Sequence, residues 1–344
     1  MIREGWFRGR TCRSFTLQWH LTNACPYHCR HCYDRSDRGE LSLSQALAVL
    51  ADLRAFCRIR RVQPHVSLSG GDPLLSPTFW DLYRACAEAR VSVSILGNPI
   101  ESDLIRRLLE IQPSVHYYQV SLEGLPDHND AIRGQGHFDQ VIRFLIQARR
   151  WGLPTHVMLT LTRANLDQVL PLGERLRGLT ERFTFNRLSQ VGMGADLPLP
   201  TRSEFVTFLR RYLIVRRSNP LLGIKDNLFN IIRFHCRRRS FPGCTGCGCG
   251  AAFNFVALLP DGEVHACRKY PSRIGNIHHD GLDRIYESAA AQRYRQGSLA
   301  CRPCRLRRVC GGCPAVTHGQ GLDPLSDRDP FCFLWVPNSL SAPW

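Results

Sequence analysis

Residues 15–32 read FTLQWHLTNACPYHCRHC, and this stretch decides the architecture. FTLQWH reads as a strand that ends at Thr22-Asn23. A loop then carries Cys25, Cys29 and Cys32 in a C-x3-C-x2-C triplet. Three thiolates are one short of a closed tetrahedral metal site. They are also one short of a full four-iron cube, which would leave one iron open to a small ligand. Zinc with His28 or His31 as fourth ligand is the plainer alternative.

Outward from the triplet, strands and helices alternate. Residues 42–60 place Leu43, Ala46, Leu47, Leu50 and Leu53 at helical spacing, with Ser42 or Ser44 as N-cap. Strands are expected at 65–69, 91–96, 116–122, 154–162 and 182–188, and helices at 77–90, 101–111, 137–151 and 165–178. Six strand-then-helix units argue for parallel strands joined by crossover helices. Six is short of the eight of a closed barrel, so an α/β fold with a partial (β/α)6 barrel is expected, its active groups at the carboxyl ends of the strands. The chain divides into a lead-in (1–14), the barrel (15–195), a helical linker (196–235) and a cysteine-rich domain (236–344).

The whole chain has 344 residues, 16 cysteines and a formal charge of +16. At about 150 residues per domain this suits two domains, or a barrel with an appendage. Hydrophobic content of 44% supports a real core and excludes a disordered or collagenous chain. No run reaches the ~18 apolar residues of a spanning helix, and the N-terminus lacks an apolar signal segment. A cytoplasmic location is expected, where disulfides are rare. The cysteines are also clustered: none lies between 87 and 235, and ten lie from Cys236 to Cys332. That favours metal ligation over a disulfide framework. Metal binding would supply folding energy that the apolar-poor C-terminal region lacks. Cys12, Cys57 and Cys86 read as small hydrophobes.

The triplet after the first strand resembles that of the radical S-adenosylmethionine (SAM) family. The resemblance implies a [4Fe-4S] cluster on Cys25, Cys29 and Cys32 whose open iron chelates SAM. It further implies reductive cleavage of SAM to a 5′-deoxyadenosyl radical that takes hydrogen from substrate. His31 sits where the family carries an aromatic side chain near the adenine. Ser69-Gly70-Gly71-Asp72-Pro73 looks like the family's Gly-Gly-Glu-Pro segment, which meets the SAM amine, with Asp in place of Glu. Gly97-Asn98 is similar to its Asn-Gly segment with the order changed. Ser121-Leu-Glu123-Gly124 and His128 to Gly134 resemble a segment of the SPASM-domain maturases. There Ser121 and Arg133 would hold SAM through its ribose or carboxylate, and Leu161 and Thr162 would line the adenine pocket.

The C-terminal cysteines are similar to the SPASM pattern, which implies two auxiliary [4Fe-4S] clusters, three in all. By position, Cys301, Cys304, Cys310 and Cys332 would hold the outer one, and Cys249, Cys267 and Cys313 the inner one. Its fourth ligand is open among Cys244, Cys247 and Cys236, with Cys244 favoured by the spacing in sulfatase-maturating relatives. Asp261-Gly262 reads as a hairpin turn that brings Cys249 and Cys267 together. Two zinc ribbons on a basic nucleic-acid-binding protein are the remote alternative, but they leave the triplet and Gly-Gly-Asp-Pro unexplained.

The resemblance implies a maturase that installs a crosslink, heterocycle or oxidation in a ribosomally made peptide. The alternative is sulfatase-type protein oxidation or small-molecule chemistry. Arg268 stands where the sulfatase-maturating branch has its aspartate base, and a guanidinium cannot act as a base. Expected partners are a precursor peptide, whose leader is read either by a separate leader-binding protein or, being acidic, by the arginine-rich surface around 233–239, and an electron donor such as flavodoxin or ferredoxin. No nucleic acid or membrane is expected.

Overall fold

The computed structural model describes residues 12–334. The start of the lead-in and the last ten residues of the C-terminal region therefore lie outside the described residues. Six strands, β1 (Ser14–Thr22), β2 (Gln63–Gly70), β3 (Ser92–Leu96), β4 (Tyr117–Ser121), β5 (Thr155–Leu161) and β6 (Arg182–Arg187), pair in sequence order, all parallel. Between them lie α1 (Leu43–Arg60), α2 (Phe79–Glu88), α3 (Ser102–Ile111), α4 (Pro126–Arg133), α5 (His137–Trp151) and α6 (Val169–Arg175). This is the expected partial barrel.

Local chemistry explains the boundaries. Ser42, not Ser44, caps α1 in a reciprocal box with Gln45. The 165–178 helix shrinks to α6 because the Asn165 side chain is spent on the Thr162 amide and the Glu123 carbonyl. Helix α4 was not expected: PDHNDAIR has no apolar period, and only Pro126 at its start signals a helix. The core between sheet and helices is aromatic-rich, with Trp19, Phe56, Tyr83, Tyr118 and Phe144 all buried. Cys57 and Cys86 lie in it, as small hydrophobes do.

Past β6 come α7 (Arg202–Val215) and α8 (Phe229–His235), then β7 (Phe255–Leu258), β8 (Glu263–His265) and β9 (Arg273–Asn276). Residues 196–235 thus hold two helices. The β7–β8 hairpin turns at Asp261-Gly262, Gly262 having φ of +85°. Strand β7 adds in parallel to the free side of β1, pairing Thr16 with Phe255 through Trp19 with Leu258. One nine-stranded sheet, β6-β5-β4-β3-β2-β1-β7-β8-β9, therefore runs through barrel and cysteine-rich region alike. Short helices α9 (Leu282–Glu287), α10 (Ala289–Gln296) and α11 (Pro314–Gly319) follow among the described residues. Among the described residues no helix is long and apolar enough to cross a membrane.

Candidate active site

The carboxyl ends of the barrel strands open into a cavity of about 470 Å³. Cys25, Cys29, Cys32, His31, Ser69, Gly70, Gly71, Ser121 and Arg133 all line it. The triplet loop is set by backbone contacts with β2: Gly71 N donates to Thr22 O at 2.8 Å and Asp72 N to Ala24 O at 2.8 Å. Contact this close requires glycine. A Cβ on Gly70 would stand 2.1 Å from Thr22 O, and one on Gly71 2.3 Å from Ala24 O.

Three expected residues, Asp72, Leu161 and Thr162, fall off the cavity wall. Asp72 turns away, Oδ1 capping Leu74 N at 3.2 Å and Oδ2 accepting from Asn98 Nδ2 at 3.1 Å. Being one methylene shorter than the family's Glu, its carboxylate closes on these near partners. Asn98 lines the cavity instead, its Nδ2 3.8 Å from Cys25 Sγ. Leu161 is fully buried in the core, and Thr162 is also buried. Side chains alternate along β5, so Thr160 and Met158 take the cavity face.

Arg133 is neither a surface ion pair nor free. Its Nε and Nη2 donate to Glu123 Oε1 at 2.9 and 2.6 Å, and Nη1 points at Cys29 Sγ, 3.7 Å away. The other Glu123 oxygen accepts from Thr160 N at 2.7 Å, and His31 Nε2 lies 3.3 Å from Oε1. Burial would push the Glu123 carboxyl up, but His31, Arg133 and the Thr160 amide outweigh it and hold it well below the usual carboxylate range. On the opposite wall, Arg268 Nη1 donates to Ser69 Oγ at 3.2 Å. The adjacent Tyr33 hydroxyl meets His20 Nε2 at 3.2 Å. Burial, then the charge of Arg268, lowers the His20 pKa to about 3, so His20 is neutral. His20 was missed as a site residue, whereas Asn98 and Glu123 stood inside recognised segments without an assigned role.

A second cavity, about 280 Å³, adjoins the first. Cys244, Cys249, Cys267 and Cys313 all line it. Cys236 does not, and Cys247 forms a disulfide with Cys12, which corrects the reading of Cys12 as a plain hydrophobe. Cys301, Cys304, Cys310 and Cys332 line a third, smaller hollow. Burial pushes the Cys249 and Cys310 thiols up and Cys313 to about 11. Such thiols ionise only with a cation beside them, so metal loading would release protons. Among the described residues no three His, Cys, Asp or Glu side chains converge on a single-ion site; the thiols instead ring cavities. Asp329 ties these loops to the barrel: it accepts Arg187 at 2.9 and 2.7 Å and the Cys313 amide at 2.9 Å.

Residues 19–176 match the model of the radical SAM superfamily, and residues 249–314 that of an iron–sulfur cluster-binding domain, SPASM. The mycofactocin maturase MftC of Mycobacterium ulcerans is 32% identical, over 92% of this chain and 87% of that protein. The chain belongs to the radical SAM superfamily, with a SPASM domain. As a radical SAM enzyme it binds SAM and a four-iron cluster in the barrel and auxiliary iron–sulfur clusters in the SPASM domain. Streptococcus suis SuiB shares the fold: its SAM-bound structure superposes with a TM-score of 0.71 at 17% identity, covering 93% of this chain and 77% of that one. SuiB bound to its precursor peptide SuiA gives 0.71 at 19%, covering 93% and 76%.

Proposed function

We propose that this radical SAM/SPASM enzyme matures a ribosomally made peptide in the cytoplasm. The observation that carries the reading is the similarity to the mycofactocin maturase MftC, 32% identical over 92% of the chain. When bound, the clusters and SAM supply one-electron cleavage to a 5′-deoxyadenosyl radical. The chain's own residues then have these roles. Cys25, Cys29 and Cys32 hold the barrel cluster. His31, Ser69, Gly70, Gly71, Ser121 and Arg133 hold SAM, with Glu123 orienting Arg133. Cys244, Cys249, Cys267 and Cys313 hold the inner auxiliary cluster, and Cys301, Cys304, Cys310 and Cys332 the outer. The barrel ends near residue 195 and the SPASM region begins near 236. A flavodoxin or ferredoxin supplies electrons, and an acidic leader or separate leader-binding protein brings the peptide.

The test starts with iron and sulfide. About twelve irons per chain are expected after anaerobic reconstitution; about four would confine clusters to the triplet. The reduced holoenzyme is then given SAM and peptides encoded beside its gene. Faster 5′-deoxyadenosine release with an altered peptide mass is expected. Stimulation only by a sulfatase peptide or by small metabolites would move the enzyme to the alternative class.

A further inference from the structure

Arg268 and Lys269 line both the triplet cavity and the inner thiol cavity, at the point where the two meet. Lys225 lines the inner one beside them. None of these three cations has a carboxylate partner among the described residues. The acids on the same walls are already engaged. Asp34 accepts from Ser36 N and Oγ and pairs with Arg38, and Asp226 pairs with Arg187 at 2.7 Å. Of the other cavity guanidiniums, Arg133 is neutralised by Glu123 and Arg187 by two aspartates, while the exposed Arg35 donates to the Tyr27 carbonyl at 2.7 Å. Arg268 alone among them meets only a hydroxyl, Ser69 Oγ, and the Tyr33 ring, whose centroid is 5.9 Å from its Cζ. A guanidinium is suited to bidentate carboxylate binding.

Two other uses of this charge have to be weighed. Lys269 lies near the inner thiols and is placed to offset a cluster's charge. Arg268 also lies within electrostatic reach of the Cys267 thiol, but its Nη1 extends across the cavity to Ser69 Oγ at the end of β2. The SAM carboxylate is the second claimant, but Ser121 and Arg133 serve it in the reading above.

We infer that Arg268, supported by Lys269, forms a subsite for a carboxylate of the peptide substrate, holding it between the triplet and the inner thiols. This rests on the peptide-maturase reading and names the substrate class: a peptide modified beside a carboxylate, either its own C-terminus or an Asp or Glu side chain.

The SAM-loaded holoenzyme is incubated with four pools of random decapeptides, with a free or amidated C-terminus, and with or without Asp and Glu. Retained peptides are measured by mass spectrometry. Wild type should retain a carboxylate-bearing pool about tenfold over the pool that has none, the scale of one charge-assisted hydrogen bond. Preference for the free C-terminus or for Asp and Glu identifies the source. Arg268→Gln should abolish the preference at unchanged iron content and SAM affinity, and Arg268→Lys should keep part of it. Preference that survives Arg268→Gln overturns the inference. So does a variant that loses SAM or iron but keeps its peptide preference. If wild type retains no peptide but retains small dicarboxylates in an Arg268-dependent way, the subsite stands and the peptide reading falls.

Discussion

Glu123, its side chain 2% exposed, is the partner that keeps the Arg133 charge inside the protein. Removing one member of a buried pair strands the other, at a cost of about 3–5 kcal/mol. Glu123→Gln is therefore expected to lower unfolding free energy by about that amount in denaturant titration, and to weaken SAM binding because Arg133 loses its aim. Unchanged stability would show that the pair is not closed in solution. Arg133 itself was legible from its motif. Its partner was not, because the contact spans ten residues across α4, a helix with no apolar period to announce it. Thr160 was lost for a smaller reason: shifting by one position on a strand reverses which side chain faces the cavity.

At the scale of elements, the glycines ending β2 fix the triplet loop. Gly71→Ala would drive a Cβ into the Ala24 carbonyl and push the loop off β2. The expected result is selective loss of the barrel cluster, about four of about twelve irons, with the auxiliary irons retained. Iron analysis and the loss of SAM cleavage would check it, and full iron content would refute it. The order of β1 to β6 could be read from alternating patterns, because each crossover is local. The β7–β8 hairpin was readable from Asp261-Gly262. The pairing of β7 with β1 was not, since no turn links them and more than 230 residues of chain lie between.

At the scale of the molecule, four histidines have no ion-pair partner among the described residues: His20 and His137, which are buried, and His65 and His156, which are partly buried. Burial lowers His20 to about 3 and His65, His137 and His156 to about 4. The unfolded chain, with histidines near 6.5, binds protons that the folded chain refuses. Stability is thus complete above pH 6.5 and declines as pH falls toward 4. Each histidine contributes on the order of 1–2 kcal/mol of loss by pH 5. Melting temperature should fall over pH 7 to 5, and His65→Gln, which keeps hydrogen-bonding capacity for Ser92 and Ser94, should flatten that fall. A pH-independent melt would contradict this.

Strand β1 is shared by two neighbours, β2 on one side and β7 on the other. Its end launches the triplet loop, and β7 begins just after the loop that carries Cys249. The backbone ladder between them acts as a ruler. It fixes the gap between the triplet of the first cavity and the cysteines of the second. No swing of one domain onto another is needed to set that gap.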